Sequence, residues 1–345
     1  MIIKRCLITA EELKTKTEIN RGYSTKGMKY LMGSNKVKTE LPFTRRKFIQ
    51  VEPINQEGIS ISGYQPKLSV CISNDEFSVV KNKATYILKP SPEQFNMLAE
   101  NEHAIMLVMK KLKFDVAPFG LVSFAKENES DKTEYVFITK RYDRISADEK
   151  IHQEQLDGAM GVKDKYGKVN DVQVVSYEQM CHFVIKALKG SLTLKKDLFR
   201  RVLYAYLLGN NDLHLRNVGL LRPKTDDDSL APVYDYVSTV PYFEGDILAL
   251  PLLALEENET ELAPGLNHSG FGTYTGDDFI LFGKGIGLVD KLIKKILDEA
   301  CSEKHCDLVI TTIENSFMNE KDKAKVISCF KGRIKAIKHI VYAAI

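Results

Sequence analysis

The pattern of apolar and polar positions changes character near residue 145. Before that point, short runs of β-branched and aromatic residues are separated by polar loops, as is typical of strands: 68–72, 86–90, 116–124 and 135–139. One stretch in this half, 92–111, instead repeats its apolar residues at helical spacing. Helical spacing then dominates the second half, including 177–189 and 195–208. We therefore expect a β-rich part followed by a mainly helical one.

These changes suggest three stretches. Residues 1–57 are basic and polar with little periodicity, and we interpret them as a solvated lead-in packed on the first lobe. Residues 58–145 form the β-rich lobe, and residues 146–345 the helical lobe, which 153–161 opens. An apolar run at 232–238, interrupted by Asp235, is predicted to be a strand.

Composition narrows the class of protein. The chain of 345 residues has ample material for sizeable cores and a net charge of only +3, which does not demand a nucleic-acid partner. It contains no apolar run of membrane-spanning length, and its start lacks a secretory segment. The six cysteines include no CxxC pair. We expect a cytoplasmic protein that does not enter a membrane.

The most informative polar cluster follows the helix predicted at 195–208. Gly209 and Asn210 should end that helix, because both residues tolerate the left-handed conformation. Asp212, His214, Arg216 and Asn217 come next, and Asp235 follows downstream: two carboxylates, a cation and a carboxamide. Such a set suits phosphoryl transfer, in which one Asp accepts or orients the hydroxyl proton while Asn and the other Asp bind the metal. An Asx-rich turn leading into a hairpin with Asp235 at its edge also explains these residues, and on spacing alone it is the favoured interpretation.

Two features of the first half could bind phosphate. Gly58 and Gly63 bracket Ser60 and Ser62 before Lys67, a small-residue loop that fits phosphates or a plain hairpin. It matches neither the Walker A pattern nor GxGxxG. Lys89 lies on an otherwise apolar strand and could snorkel to solvent or bind phosphates, and Glu102 could pair with it or lie on the surface.

Seven motifs in order resemble the HipA family of bacterial serine/threonine kinase toxins, from about residue 58 to the C-terminus. They are Ile59-Ser-Ile-Ser-Gly-Tyr-Gln-Pro-Lys67, Tyr86-Ile-Leu-Lys-Pro90, Asn101-Glu102, Lys140-Arg-Tyr-Asp-Arg144, Gln153-Glu154, Asn211-Asp-Leu-His-Leu-Arg-Asn217 and Tyr234-Asp-Tyr-Val-Ser238. The chain has too little sequence before the glycine loop for the N-terminal subdomain of long HipA proteins. It therefore resembles the short form, HipT.

The resemblance implies an α+β, two-lobed protein-kinase-like fold, HipA-like, that uses ATP and Mg²⁺. Asp212 matches the catalytic aspartate, Asn217 and Asp235 match the Mg²⁺ ligands, and Ser60 or Ser62 matches the autophosphorylation site, which would act as an internal off-switch. The implied nucleotide-binding residues are Ser62, Gly63, Lys67, Lys89, Lys140, Tyr142, His214 and Tyr234, with Lys140 and Tyr142 pairing with adenine mostly through their backbone. The implied supporting residues are Glu102, Gln153, Glu154 and Arg216.

The resemblance also implies partners. Members of this family phosphorylate a serine of a protein target, an aminoacyl-tRNA synthetase, and so inhibit translation. Their partners are a helix-turn-helix antitoxin, HipB-like, and for short forms a small HipS-like protein, so any contact with DNA would be indirect. Two other functions stay open at this point: a small-molecule kinase on a related fold, and a non-catalytic regulatory module that binds antitoxin and DNA.

Overall fold

A computed structural model describes residues 4–55, 66–243, 245, 247–259, 261–268 and 270–340. The chain divides into two compact units. Unit 1 comprises Met1–Lys110, Asp115–Ile151 and Asn315–Asn319, and unit 2 comprises Lys111–Phe114, His152–Glu314 and Glu320–Ile345. Each unit is therefore assembled from segments that are separated in the sequence.

The start of unit 1 is more ordered than its weak periodicity suggests. It contains the helices α1 (Lys16–Arg21), α2 (Thr25–Met32) and α3 (Arg45–Asn55). The Ser24 side chain accepts a hydrogen bond from the Gly27 amide and so caps the start of α2. Several apolar residues of this region are buried, among them Cys6, Leu7, Ile8, Met28 and Leu31. The expected lead-in thus contributes its own apolar residues to the core of unit 1.

An antiparallel sheet forms the centre of unit 1. Among the described residues its strands are β1 (Leu68–Ser73), β2 (Glu76–Val79), β3 (Tyr86–Pro90), β4 (Phe119–Ser123) and β5 (Tyr135–Lys140), in the order β2-β1-β3-β5-β4. Strand β3 is central, and its Lys89 lies opposite Phe137 of β5. The four strand-like runs of the sequence correspond to β1, β3, β4 and β5.

Helix α4 (Leu98–Lys111) is buried along most of its length and begins six residues after the predicted start at residue 92. The Ser91 hydroxyl accepts a hydrogen bond from the Ala99 amide, and Met97 has a φ of 60°. Because Pro92 lacks an amide hydrogen and Met97 is left-handed, the segment between β3 and α4 is irregular. Three adjacent polar residues of α4, Asn101, Glu102 and His103, are buried.

The stretch 152–160 of unit 2, which opens the part of the chain expected to be mainly helical, contains a strand. Residues 152–160 form β6 (His152–Gln155) and then α5 (Leu156–Met160), so only the second half of this stretch is helical. The remaining strands are β7 (Lys168–Val169), β8 (Val172–Gln173), β9 (Gly219–Arg222) and β10 (Ser229–Leu230). Strand β9 lies between β10 and β6, and β7 pairs with β8.

Helices make up most of unit 2. They are α6 (Tyr177–Ala187), α7 (Leu192–Leu207), α8 (Pro264–His268), α9 (Gly276–Gly285), α10 (Asp290–Cys301), α11 (Glu303–Glu314) and α12 (Glu320–Ile337), with short 3₁₀ helices at Leu215–Asn217 and Ala254–Glu259. Phe199 of α7 stacks on Phe282 of α9 at a centroid distance of 5.6 Å, within the core of the unit.

The run at 232–238 is not the predicted strand. Residues 234–239 are neither helix nor strand, although Val233, Tyr236 and Ser238 are buried. The apolar character of this run reflects burial of an irregular segment, in which Val233 forms an isolated β-bridge. Asp235 therefore lies on a loop.

Candidate active site

Lys89 and Glu102 form a buried ion pair in unit 1. Lys89 Nζ lies 2.6 Å from Glu102 Oε1, and the two residues are 4% and 1% exposed. Burial disfavours the ammonium form and lowers the pKa of Lys89 to about 8, although the charge of Glu102 opposes this shift. Of the two alternatives that the sequence left open for Glu102, the structure contains the pair with Lys89.

The other predicted residues of unit 1 are placed unevenly. Lys67 is half-buried immediately before β1, and its positive charge also lowers the pKa of Lys89. Ser60, Ser62 and Gly63 lie outside the described residues. Tyr142 is half-buried just after β5, and Lys140 is exposed at the end of that strand.

The Lys140 amide has a partner within unit 1. It donates a hydrogen bond to the Pro118 carbonyl at 2.7 Å, and the next amide, of Arg141, donates to the Thr85 carbonyl at 2.8 Å. The Lys140 amide, at one of the two predicted adenine-binding positions, is thus used inside the protein. An adenine ring pairing here would have to use other groups of this segment.

In unit 2, the segment after α7 positions Asp212. Gly209 has a φ of 71°, which confirms that it ends the helix in the left-handed conformation. The Asn210 side chain then accepts a hydrogen bond from the Asp212 amide at 3.1 Å. Asn217 Nδ2 donates to the Asp212 carbonyl at 2.8 Å, so the two predicted active-site residues are tied together. The polar cluster is therefore a fixed turn with Asp212 at its start.

Three side chains approach the Asp212 carboxylate. His214 Nε2 lies 3.7 Å from Oδ1, the Tyr166 hydroxyl donates to Oδ1 at 3.3 Å, and Lys165 Nζ lies 3.9 Å away. The Asp212 side chain is 43% exposed, which leaves it accessible to a substrate. Burial lowers the pKa of His214 to about 4, so its imidazole is neutral at pH 7.

Lys165 and Tyr166 were not identified in the sequence analysis. They belong to a polar connection between α5 and β7 that has no periodicity, and they lie 46 or more residues before Asp212 in the chain. An adjacent lysine and tyrosine are too common to mark a site. Only the fold brings them to the carboxylate.

Asn217 and Asp235 have the chemistry of magnesium ligands. Because Asn217 donates through Nδ2, its Oδ1 is the atom suited to a metal, and Asp235 contributes a carboxylate; Mg²⁺ prefers such oxygen ligands. Asp235 has a φ of 55°, a conformation that non-glycine residues adopt mainly where the fold requires it. Within the described ranges no group of three His, Cys, Asp or Glu side chains could hold a metal.

The remaining predicted residues of unit 2 form hydrogen bonds and ion pairs in and near the turn. The Tyr234 hydroxyl donates to the Arg216 carbonyl at 2.9 Å, and Gln153 Nε2 donates to that hydroxyl at 3.5 Å. Arg216 itself pairs with Asp157 of α5 at 2.6 Å. Glu154 pairs with Arg222 across β6 and β9. Tyr234 was predicted to bind nucleotide, and its hydroxyl donates to the backbone of the turn.

No helix in the described part of the chain is both long and apolar enough to cross a membrane.

Comparison with known proteins identifies the family. The family model for the HipA-like C-terminal domain matches residues 59–305, more than half of the chain. The chain belongs to this family. The resemblance seen in the ordered motifs is thereby confirmed.

Relatives of this HipA-like chain include two curated bacterial proteins. A Haemophilus influenzae protein named "Putative kinase" is 46% identical over 335 residues, which cover 95% of this chain and 96% of that protein. A Sinorhizobium fredii protein named "Putative kinase Y4dM" is 27% identical over 218 residues, or 59% of this chain and 51% of that protein.

A solved structure shares the fold. It is HipA of Shewanella oneidensis MR-1, from a toxin–antitoxin complex with HipB and operator DNA, and it matches with a TM-score of 0.61 at 20% identity. The match covers 80% of this chain and 63% of that HipA chain. The predicted fold class, α+β and HipA-like, is confirmed.

Proposed function

We propose that this protein is an ATP-dependent serine/threonine protein kinase, the toxin of a bacterial toxin–antitoxin system. The observation that carries this proposal is the buried ion pair between Lys89 and Glu102. Protein kinases use a strand lysine, held by a helix glutamate, to bind the nucleotide phosphates. A buried ion pair costs desolvation and is weak support for stability, so a function for the lysine is the better explanation of its presence.

The proposed roles of the residues follow the chemistry of phosphoryl transfer. Lys89 binds the α- and β-phosphates of ATP, and Asn217 and Asp235 hold Mg²⁺. When bound, Mg²⁺ would neutralise part of the negative charge of the ATP phosphates. His214 is buried, which leaves the proton-accepting role to the more exposed carboxylate of Asp212.

The proposed reaction is a single displacement. The O–H bond of the substrate serine breaks and its proton passes to a carboxylate oxygen of Asp212. A bond forms between the serine Oγ and the γ-phosphorus, while the bond from that phosphorus to the β,γ-bridging oxygen breaks and its electron pair stays with ADP. Phosphoserine, ADP and a proton, released from Asp212 to solvent, are the products.

The proposed partners are inferred from those of the HipA family. Because the solved HipA is in complex with HipB and DNA, we propose a HipB-like helix-turn-helix antitoxin as partner, with DNA contacted only through it. A small HipS-like protein is the further partner expected of a short, HipT-like form. The proposed protein substrate is an aminoacyl-tRNA synthetase.

Transfer of label from γ-³²P-ATP tests the proposal. Purified protein and its Asp212→Asn variant are incubated with Mg²⁺ and labelled ATP, alone, with a panel of aminoacyl-tRNA synthetases, and with small hydroxyl compounds. We expect label on one synthetase with the unaltered protein and a loss of at least a hundredfold, of order 10²–10⁴ for removal of a general base, with the variant.

Other outcomes of this experiment separate the alternatives. Label on the protein itself at Ser60 or Ser62 supports a kinase with the proposed autophosphorylation. Label on a small compound alone would indicate a small-molecule kinase. No label on any acceptor from unphosphorylated protein contradicts the proposal and favours a non-catalytic regulatory module.

A further inference from the structure

The connection between α5 and β7 carries two side chains to Asp212 that none of the recognised motifs contains. The Tyr166 hydroxyl donates a hydrogen bond to Asp212 Oδ1 at 3.3 Å, and Lys165 Nζ lies 3.9 Å from the same oxygen. Lys165 also lies over the Tyr166 ring, 4.8 Å from its centroid. The rings of Tyr166 and His214 meet edge to face, with their centroids 5.6 Å apart. These residues form one contiguous group with the proposed catalytic carboxylate.

The connection is held in place by its own hydrogen bonds. Asp164 Oδ1 accepts from the Tyr166 amide at 2.8 Å, and Gln173 Nε2 donates to the Tyr166 carbonyl at 2.8 Å. The Leu215 amide donates to the Lys165 carbonyl at 3.0 Å, which joins the connection directly to the turn that bears Asp212. The side chains of Lys165 and Tyr166 therefore start from backbone that is fixed relative to the carboxylate.

Charge distinguishes Lys165 from its neighbours. Arg216, the permanently charged cation of the neighbouring turn, is engaged with Asp157 at 2.6 Å. The ammonium of Lys165 is the cation that remains beside Asp212 within this group. At 3.9 Å from Oδ1, it is too far for a hydrogen bond to that atom, so its N–H donors are not used on the carboxylate.

We propose that Lys165 is a catalytic residue that contacts the γ-phosphoryl oxygens during transfer, and that Tyr166 is a positioning residue that orients the Asp212 carboxylate. This inference rests on the proposed kinase function. Negative charge is spread over three equatorial oxygens of the transferred phosphoryl group, next to the base that accepts the serine proton. A cation fixed beside that base stabilises this charge where it develops.

Steady-state kinetics of full-length variants test both roles. Lys165→Met should lower kcat about a hundredfold, the order found on removal of one preorganised electrostatic group, with little change in KM for ATP. Lys165→Arg keeps the charge and should recover part of this loss. Tyr166→Phe should lower kcat about tenfold, as for loss of one hydrogen bond to a charged group, with both KM values unchanged. Lys168→Met, an exposed lysine of the adjacent strand β7, is the matched control and should behave as the unaltered protein.

An active protein whose Lys165→Met variant keeps its kcat would overturn the role of Lys165 and leave the proposed kinase function intact. For Tyr166→Phe, an unchanged kcat would overturn the positioning role. A fall in kcat that comes with a comparable change in KM and a lower Tm would also overturn it, because a general structural defect would then explain the loss.

A second measurement does not require turnover. An ATP analogue with an acyl group on its γ-phosphate acylates nearby lysines: the lysine nitrogen attacks the acyl carbon, an amide forms, and ATP leaves with the electron pair of the broken C–O bond. Mass spectrometry should find label on both Lys89 and Lys165, suppressed by excess ATP. Label on Lys89 but not on Lys165 overturns the proposed role of Lys165 and leaves ATP binding intact. Label on neither overturns ATP binding and the inference together.

Discussion

Glu100 and Glu102, two positions apart on α4, show how the surroundings of one carboxyl group decide its effect on stability. Glu102 is paired with Lys89 at 2.6 Å. Glu100 is also buried, but its Oε2 has no hydrogen-bond partner in the described part of the chain. Burial, with a smaller contribution from the charge of Glu134, raises the pKa of Glu100 to about 7.

Neutralising Glu100 should stabilise the protein above pH 7. Between pH 4.5 and 7 the folded protein holds a proton on Glu100 that the unfolded chain has lost, so this group lowers the free energy of unfolding as pH rises through that window. The cost at pH 8 is on the order of 3 kcal/mol. We expect Glu100→Gln to raise the free energy of unfolding by about 2 kcal/mol at pH 8 and to have little effect at pH 4.5, measured by urea titration.

Glu102→Gln is the matched control, with the opposite sign. It removes the carboxylate that pairs with the buried ammonium of Lys89, and should cost about 3–5 kcal/mol from pH 5 to 7. If the two variants changed the free energy of unfolding equally and in the same direction, the different surroundings of these carboxyl groups would not govern stability.

At the scale of elements, the junction between α7 and the turn of Asp212 depends on a residue without a side chain. Gly209 has a φ of 71°, and an added Cβ would collide with the Val240 side chain. Gly161 after α5 has a φ of 70°, but an added Cβ there meets nothing within 4 Å. The two glycines share their backbone conformation and differ in the space around them.

Gly209→Ala should therefore reduce both stability and turnover, whereas Gly161→Ala should cost only the backbone strain of about 1–2 kcal/mol. Relief of the collision at Gly209 requires the turn to move, and a shift of about 1 Å at Asp212 can lower kcat by about a hundredfold. Thermal unfolding and labelled-phosphate transfer check both effects. If the two variants were alike in kcat, the packing at Val240 would not position the turn.

The strength of each periodic pattern explains how well the sequence predicts the elements. Strand β3 and helices α6 and α7 were predicted within three residues of their bounds, because regular burial of one face leaves a regular pattern. The run at 232–238 has such a pattern without being a strand, since Val233 and Tyr236 are buried from an irregular loop. Burial of apolar side chains can therefore produce a strand-like run in a segment that is not a strand.

The candidate site divides in the same way. Asp212, Asn217 and Asp235 could be chosen because carboxylate and carboxamide side chains are rare beside buried apolar segments and have a known chemistry with phosphate. Lys165 and Tyr166 could not, because their contact with Asp212 depends on the tertiary fold and leaves no spacing in the chain.

For the whole molecule, ligand binding should appear as a gain in stability. A ligand that binds only the folded state stabilises it by about 2.7 kcal/mol at a hundred times its Kd. We expect ATP with Mg²⁺ to raise the Tm of the unaltered protein and of Asp212→Asn, because that carboxylate is proposed to act on the serine and not to bind nucleotide.

Lys89→Met should lose this rise in Tm, because the proposed phosphate-binding cation is gone. The measurement is a thermal scan of each variant with and without nucleotide, so that each variant is compared with itself. A rise for Lys89→Met as large as that of the unaltered protein would contradict the proposed role of Lys89.

The division of the chain into units has a consequence for its synthesis on the ribosome. Unit 1 includes Asn315–Asn319, which follow most of unit 2 in the sequence. Phe317 in this segment packs against the rings of His103 and Tyr135, with centroids 5.8 and 6.4 Å away. The sheet and helix that carry Lys89 and Glu102 emerge early in translation but cannot complete their packing until residue 317 has left the exit tunnel. A nascent chain interrupted before that residue would lack part of the core around α4, the helix that carries the Glu102 partner of Lys89.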